Sequence, residues 1–247
     1  MILISPAKRL TDKESSSALK KTDPIFQSEA NQLANELKKL SVDDIRSLMG
    51  VSEDIAKLNR HRFQNWNNLA NEEERAIFQF EGDVYKNLDV YSLDKETQEY
   101  LNGRLRILSG IYGLLKPSDT MNPYRLEMGT KYNFLTFKNL YEFWGNKIAS
   151  AIDAEVGNNY LFNLASEEYY ASVKKHLKTS KAIDFKFATI KDGKEKVIGI
   201  IAKKARGAMV RFLIKNRIED LEPIRDFSEL GFVYKEFTNN EFVFIQK

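Results

Sequence analysis

Hydrophobic and polar residues alternate along the chain with two different periods. Short apolar runs predict strands at residues 2–4, 105–108, 160–163, 182–190, 197–201, 232–237 and 242–245. Apolar residues spaced three and four apart predict helices at residues 25–40, 42–48, 53–64, 72–78, 93–101, 140–154 and 166–173. Because helices come early and hairpins late, the order favours a single α+β domain, residues 1–247, with a mixed sheet surrounded by helices.

Turn-forming residues mark the connections between these elements. Asp192-Gly193 lies between two apolar runs and predicts a hairpin turn, because both residues tolerate positive φ; Asn239-Asn240 predicts a second one. The polar stretch 8–23 predicts a long, partly irregular connection. We find no internal repeat and no linker rich in Gly, Pro or Ser that would divide the chain.

Composition narrows the possible chemistry. The chain has 247 residues, 43% of them hydrophobic, a formal charge of +3 and no cysteine. The lack of cysteine excludes disulfides, zinc–thiolate sites and a thiol nucleophile. His61 and His176 have no second histidine at metal-ligand spacing, so we expect neither a metal nor a cofactor. The N-terminus lacks a leader pattern and no apolar run approaches 18 residues, so we expect a cytoplasmic protein without a membrane partner.

A basic cluster follows the apolar run at 197–201. The pattern predicts that Lys203, Lys204 and Arg206 open a helix that continues through Arg211. Cations at a helix N-terminus are unfavourable unless an anion joins them, so this position indicates phosphate binding. Gly207 would leave room for close approach of a ligand. The alternative is a solvated basic face on a core helix.

Two short helices at about 42–64 enclose the turn Leu48-Met49-Gly50-Val51-Ser52. This is the shape of a helix-hairpin-helix, in which backbone N–H groups of the turn, here near Gly50 and Ser52, contact a phosphate oxygen. Arg60 would add positive charge. Met49 stands where proline is usual and Ser52 where a second glycine is usual, so an ordinary two-helix turn is the alternative.

Several polar segments directly follow predicted strands. Because ligand sites of sheet proteins collect at strand C-termini, we expect Lys8, Ser109, Ser166 and Lys203 to converge on one cleft. Lys8 and Ser166 are candidate catalytic residues. The alternative for Ser166 is that it caps the helix that follows it.

A further polar segment contains Arg125 and Glu127, which share one face if the segment is extended. They would form either a structural salt bridge, or a cation for phosphate beside a general base. Glu127 is the third candidate catalytic residue.

Six segments together resemble the YaaA (UPF0246) family of bacterial peroxide-stress proteins. They are Ile2-Leu3-Ile4-Ser5-Pro6-Ala7-Lys8, Gly82-Asp83-Val84-Tyr85, Leu108-Ser109-Gly110-Ile111-Tyr112-Gly113, Pro123-Tyr124-Arg125-Leu126-Glu127-Met128-Gly129, Asn163-Leu164-Ala165-Ser166-Glu167-Glu168-Tyr169 and Ala202-Lys203-Lys204-Ala205-Arg206-Gly207. The resemblance runs from residue 1 to about 246. It implies a cytoplasmic protein that protects cells from hydrogen peroxide and is linked to limiting free iron and oxidative DNA damage. It also implies a family-specific fold with a positively charged cleft and a DNA-binding helix-hairpin-helix.

Three functional hypotheses follow. The leading one is a peroxide-stress protein that binds DNA as its partner, with Lys203, Lys204, Arg206, Arg211 and the Gly50 hairpin holding phosphates without reading bases. The alternative is an enzyme that acts on a nucleotide, a nucleobase or damaged DNA, for which a phosphate-bearing small molecule would be the partner. The third is a scaffold that binds another protein.

Overall fold

The computed structural model describes residues 1–11, 19–66, 74–191 and 193–246, and in these ranges eight strands form the main sheet. Its five central strands are parallel and lie in the spatial order Glu241–Gln246 (β12), Lys181–Lys191 (β9), Tyr160–Asn163 (β8), Ile2–Ile4 (β1) and Leu105–Ser109 (β5). Three antiparallel strands complete it: Phe232–Thr238 (β11) and Gly113–Leu115 (β6) at the edges, and Lys194–Lys196 (β10) beside β9. The sheet is therefore mixed, as the sequence predicts.

Helices surround this sheet. They are Gln27–Leu37 (α1), Val42–Met49 (α2), Glu53–Gln64 (α3), Ala76–Gln79 (α4), Asp83–Leu88 (α5), Lys95–Arg104 (α6), Leu140–Trp144 (α7), Lys147–Val156 (α8), Glu167–Lys174 (α9) and Gly199–Lys215 (α10). Two small ribbons pair Arg9–Leu10 (β2) with Phe80–Glu81 (β4), and Glu74–Arg75 (β3) with Thr120–Met121 (β7). The fold is a single-domain α+β fold.

The core lies on both faces of the central strands. β1 pairs with β5 on one side and β8 on the other, and Leu3 and Ile4 are fully buried. Parallel strands buried on both faces carry continuous apolar runs, which explains why residues 2–4 do not alternate with polar ones. Burying each such side chain stabilises the fold by about 1.5–3 kcal/mol.

Both predicted hairpin turns lie where the sequence places them. Asn239 and Asn240 have φ of 51° and 60° and join β11 to β12, which is the conformation that two-residue hairpin turns require. Gly193, with φ of 70°, lies between β9 and β10. Asp192 and residues 12–18 of the predicted polar connection lie outside the described residues.

The prediction for residues 197–201 is wrong, because α10 begins at Gly199. A short apolar run suits a strand or a helix, and here the helical spacing of Ala202, Ala205 and Met209 decides the outcome, since these side chains are buried. Lys203, Lys204 and Arg206 therefore lie in the second turn of α10. The premise that they stand at a helix N-terminus is wrong as well.

Two other element predictions need correction. In the described part of the predicted helix 72–78, Glu74–Arg75 is a strand paired with β7, and the helix α4 starts only at Ala76. The predicted helix 140–154 is divided at Gly145, whose φ of 48° ends α7 before α8 begins. Glycine at such a position ends a helix because it adopts positive φ without steric cost.

Candidate functional site

A cleft of about 410 Å³ opens where β1 and β8 end, and we call it the inner cleft. Its walls come from segments that are distant in sequence. They are residues 5–9 after β1, 81–85 at the start of α5, 124–127, 164–169 after β8, and Lys203 with Arg206 of α10. Lys8 and Ser166 meet at this cleft as predicted, because parallel strands deliver their carboxyl ends to the same edge of a sheet, and Lys203 reaches the same cleft from α10.

A more open groove of about 770 Å³ adjoins the inner cleft, and we call it the outer groove. Its lining comes from the carboxyl half of α2, Leu40 and residues 129–132. Four side chains line both cavities: Lys8, Arg125, Glu127 and Glu168. These side chains form the boundary between the two cavities.

Glu127 stands between two cations at this boundary. Its Oε2 lies 2.7 Å from Lys8 Nζ, and its Oε1 lies 3.6 Å from Arg125 Nη2. The side chains are 25% exposed for Glu127, 18% for Arg125 and 59% for Lys8. Arg125 and Glu127 thus share one face and form the predicted ion pair. Arg125 Nε is buried and has no hydrogen-bond partner, so one donor of this guanidinium remains unused.

Ser166 occupies the N-cap of α9, but its hydroxyl makes no capping hydrogen bond. Instead, Ser5 Oγ donates to Ser166 Oγ at 3.1 Å and accepts from the Ser166 backbone N–H at 2.8 Å. The predicted position of Ser166 is therefore confirmed, while the cap expected of its side chain is absent. Glu168, in the first turn of α9, accepts from the Gly129 backbone N–H at 2.9 Å.

Lys203 and Arg206 face the inner cleft from α10, one helical turn apart. Arg206 is partly buried, and burial lowers the pKa of its guanidinium. Within the described ranges, none of the hydrogen bonds or ion pairs involves Arg206. Because burial disfavours the charge of Arg206, and Arg206 has no anionic partner in the described part of the chain, an anion bound in the cleft would stabilise it.

Gly207 fixes α10 against α5 and does not approach a ligand, contrary to the prediction. A Cβ atom at Gly207 would lie 2.1 Å from the Val84 carbonyl oxygen and 3.0 Å from Asn87 Cβ. Only glycine allows the two helices to come this close. This contact sets the position of Lys203 and Arg206 in the wall of the cleft.

Ser109 does not reach the cleft, and its predicted place there is wrong. Its side chain is fully buried, with Oγ 2.5 Å from Tyr124 Oη and accepting from the Tyr112 backbone N–H at 2.9 Å. The end of β5 lies beside the antiparallel edge strand β6, with Ser109 paired to Gly113. Ser109 is thus buried inside the protein, although its position at a strand end predicted that it would line the cleft.

The other predicted cations lie elsewhere. Arg211 donates to the carbonyl oxygens of Leu88 and Asp89, both at 2.9 Å, and to Ser92 Oγ at 2.8 Å, so it ties α10 to the end of α5. Lys204 is exposed on α10, and Arg60 lies on α3 with its Nε buried and unpaired. None of these three cations lines the inner cleft or the outer groove.

The predicted helix pair is present as α2 and α3, joined by residues 50–52. Gly50 adopts the left-handed conformation with φ of 59°, and the N–H groups of Gly50 and Val51 both donate to the Arg46 carbonyl oxygen. Ser52 Oγ accepts from the Ile55 N–H at 3.5 Å. These groups already form hydrogen bonds at the ends of the two helices. Phosphate contact by this turn stays a prediction.

Carboxylates lie at both helix starts of the helix pair, and carboxylates also line the inner cleft, at Glu81, Asp83, Glu127 and Glu168. Asp43 and Asp44 lie in the first turn of α2, and Glu53 and Asp54 lie in the first turn of α3. Acidic side chains stabilise helix N-termini through the helix dipole, and they repel phosphate. The electrostatics of the helix pair are thus those of two well-capped helices.

Tyrosines of the inner cleft were not identified from the sequence. Tyr85 Oη donates to the Ser5 carbonyl oxygen at 3.0 Å, and Tyr124 and Tyr169 line the same cavity. Burial raises the pKa of all three phenols, so they are neutral donors at physiological pH. They lie within the motifs that carry the family resemblance, but the spacing of aromatic residues does not distinguish a cleft wall from a core.

The described residues contain no group of three or more His, Cys, Asp or Glu side chains arranged to hold a metal ion. No helix within the described ranges is long and apolar enough to span a membrane. The expectations that the protein needs no metal and no cofactor stay predictions.

Comparison with known proteins gives one consistent result. A family model described as "Peroxide stress protein YaaA" matches residues 1–237. A UPF0246 protein of Clostridium beijerinckii is 42% identical, over 98% of this chain and 95% of its own length. Similar UPF0246 proteins occur in Neisseria meningitidis serogroup A, 41% identical over 97% of this chain and 94% of that protein, and in Shewanella woodyi, 42% identical over 96% and 94%. The resemblance drawn from the motifs is confirmed.

Proposed function

Since this chain belongs to the YaaA family of peroxide stress proteins, we propose that it serves the peroxide stress response by binding DNA, with the phosphate of one nucleotide held in the inner cleft. The observation that carries the proposal is the Arg206 guanidinium, which faces the cleft without an anionic partner among the described residues. A phosphate oxygen pair matches the two parallel N–H donors of a guanidinium.

Other groups in the cleft support the same ligand. Lys203 is exposed one turn from Arg206 and adds a second positive charge that requires no close contact. Across the cavity, Arg125 has an unused Nε donor. Three cations that surround one cavity favour an anion with more than one negative oxygen.

The size and walls of the cavity fit a nucleotide unit. A volume of about 410 Å³ falls within the range of about 300–1,000 Å³ for small-molecule sites. Tyr85 and Tyr169 line it and give an apolar surface with polar ends. A base or sugar attached to the bound phosphate would have an aromatic wall to pack against, which contributes to binding without reading sequence.

We expect this binding to be weakly sequence-specific and to weaken steeply with salt, because phosphate contact by cations carries no base information. The protein would act on cytoplasmic DNA. Its effect on iron-dependent oxidative damage would be indirect, through the DNA it occupies.

The test is a fluorescence-anisotropy titration of a labelled 20-nucleotide DNA, single-stranded and duplex, at low salt. Arg206→Met should weaken binding at least about 30-fold, the loss that follows when a desolvated charge contact is removed. Lys215→Met is the matched control, since it removes the same charge from the same helix outside both cavities. Absence of saturable DNA binding, or equal losses in both variants, would overturn the proposal.

A second candidate function is favoured by the Lys8–Glu127 contact of 2.7 Å. A cleft that only holds phosphate gains nothing from a carboxylate, whereas a reaction on a nucleotide or a damaged base needs a group that accepts a proton. Lys8 would bind the phosphate or act as an amine, and Ser166 would supply a hydroxyl.

Glu127→Gln separates the two functions. If the protein only binds DNA, the loss of a negative charge should leave affinity unchanged or increase it. If the protein is an enzyme, this variant should bind nucleotides but lose turnover, measured by chromatography of a nucleotide mixture and of peroxide-treated DNA after incubation. Equal chromatograms with and without the wild-type protein would rule out the enzymatic reading for these substrates.

A further inference from the structure

The outer groove adjoins the inner cleft, since Lys8, Arg125, Glu127 and Glu168 line both. A ligand that passes over these four side chains contacts both cavities. The outer groove, about 770 Å³, is the larger and more open of the two cavities. This is the geometry of a path for an extended molecule.

The carboxylates that face the outer groove are already paired. Asp44 accepts from the Ser41 hydroxyl at 2.6 Å and from the Ser41 N–H at 2.9 Å. Glu168 accepts from the Gly129 N–H, and Glu127 pairs with Lys8. Each of these three carboxylates thus already interacts with a donor group of the protein itself.

A different set of side chains in the groove has no such partner. Lys131 is exposed, and within the described part of the chain no hydrogen bond or ion pair of its side chain is present. The Tyr132 ring packs edge-on to Phe134 at 4.8 Å between ring centroids, and its hydroxyl has no partner among the described residues. Leu48 and Met49 of α2 are partly buried beside them. An aromatic ring with Leu and Met side chains forms a surface suited to the face of a base, and lysine suits a phosphate.

We propose that the outer groove is a second nucleotide subsite, so that the ligand is a strand of at least two linked nucleotides. One base and sugar pack near Tyr132 and Met49, Lys131 holds an outer phosphate, and the strand passes Lys8 and Arg125 into the inner cleft. This inference rests on the proposed binding of a nucleotide phosphate in the inner cleft. It adds that a free mononucleotide fills only half of the site.

The experiment is a competition titration in which unlabelled thymidine 5′-monophosphate or the 5′-phosphorylated dinucleotide of thymidine displaces a labelled 12-nucleotide single strand. On the wild-type protein the dinucleotide should compete at least about tenfold more strongly than the mononucleotide, since the second base gains stacking that is worth about 1–3 kcal/mol. A mononucleotide that fails to compete while the dinucleotide competes gives the same result.

A double variant and a control variant test whether the difference between the two competitors arises in the outer groove. Lys131→Ala/Tyr132→Ala should reduce the difference between the two competitors to within about twofold, and it should leave mononucleotide binding unchanged. Lys138→Ala is the control, since this exposed lysine follows in the same region but lines neither cavity. Equal competition by the two ligands on the wild type, or an equal loss of both in the double variant, would overturn the inference.

Arg206→Met distinguishes failure of this inference from failure of the proposed function. It should weaken both competitors by the same factor. If it does so while the outer-groove variant has no effect, the inner cleft binds phosphate and only the second subsite is wrong. If Arg206→Met changes neither competitor, the proposed function is wrong and the inference falls with it. Stronger binding of an extended acidic peptide than of the dinucleotide would also contradict the inference.

Discussion

The α2–α3 helix pair and the inner cleft are both predicted phosphate sites, yet the structure equips them differently. In the helix pair, the N–H groups of Gly50 and Val51 donate to the Arg46 carbonyl oxygen, and acidic residues occupy both helix starts. In the cleft, Arg206 has no anionic partner among the described residues. The difference teaches that the outline of a motif does not show whether its turn N–H groups are already used within the protein.

The largest effect on stability should come from a substitution that forces α10 away from α5. It would disrupt the inner cleft and leave the α2–α3 helix pair intact. Gly207→Ala places a Cβ atom 2.1 Å from the Val84 carbonyl oxygen, so the helices must move apart at a cost of about 3 kcal/mol in unfolding free energy. Urea denaturation measures this. Gly103→Ala in α6 is the control, because open space surrounds Gly103 and alanine should stabilise this helix by up to about 1 kcal/mol. A Gly207→Ala protein as stable as the wild type would contradict the helix contact.

A second, smaller effect should distinguish two arginines of α10, Arg206 and Arg211, by their contributions to the unfolding free energy. Arg211 donates to two carbonyl oxygens and to Ser92 Oγ, so Arg211→Met should lower the unfolding free energy by about 2 kcal/mol. Arg206 has no comparable bonds in the described structure, and Arg206→Met should leave stability unchanged or raise it by about 1 kcal/mol. Thermal unfolding of both variants in phosphate-free buffer checks this. A marked fall in the melting temperature of Arg206→Met would mean that Arg206 serves the fold.

A smaller effect concerns the turn of the helix pair. Gly50 has φ of 59°, and no atom lies within 4 Å of the place that a Cβ atom would take, so Gly50→Ala costs about 1 kcal/mol through backbone strain alone. If the turn does not contact phosphate, DNA affinity of this variant should stay within about twofold of the wild type once the protein is folded. Anisotropy titration at low salt measures it. A tenfold loss of DNA affinity would instead show that this turn contacts DNA.

The smallest effect is electrostatic and tests whether the acids of α2 serve its own cap. Hydrogen bonds from the Ser41 hydroxyl and N–H hold the pKa of Asp44 below its ordinary value of 3.8. Because the folded pKa is lowered, the contribution to stability is present above about pH 4 and is lost as the pH falls through the folded pKa. In Ser41→Ala the Asp44 pKa should return toward 3.8, as measured by NMR titration. An unchanged pKa would contradict the cap.

Much of the fold could be predicted from the sequence, because strands such as β1 and β8 are short apolar runs and helices such as α3 carry a clear helical period. The strand prediction for residues 197–201 failed because four apolar residues around one glycine fit either period, and burial of the helical stripe on α10 decided the outcome. The division between α7 and α8 depends on Gly145 adopting positive φ, which a helical pattern does not reveal.

The site could be predicted only in part. Position after strands placed Lys8 and Ser166 at the inner cleft, because parallel strands share an edge. The same argument failed for Ser109, since its side chain is buried and interacts with Tyr124 and the Tyr112 N–H. The need for glycine at position 207 depends on its close contact with α5, which is distant in sequence. Contacts between distant segments leave no periodic signal.

The most direct test of the account is the salt dependence of DNA binding by three proteins: the wild type, Lys203→Ala/Arg206→Met, and Gly50→Val. Plotting the logarithm of the association constant against the logarithm of the salt concentration counts the phosphate contacts. We predict that on duplex DNA the cleft variant loses affinity and a slope of about 0.9, equivalent to the one phosphate held in the inner cleft, while Gly50→Val keeps the wild-type slope. A lower slope in Gly50→Val with an unchanged slope in the cleft variant would contradict the account and assign the phosphate contacts to the helix pair.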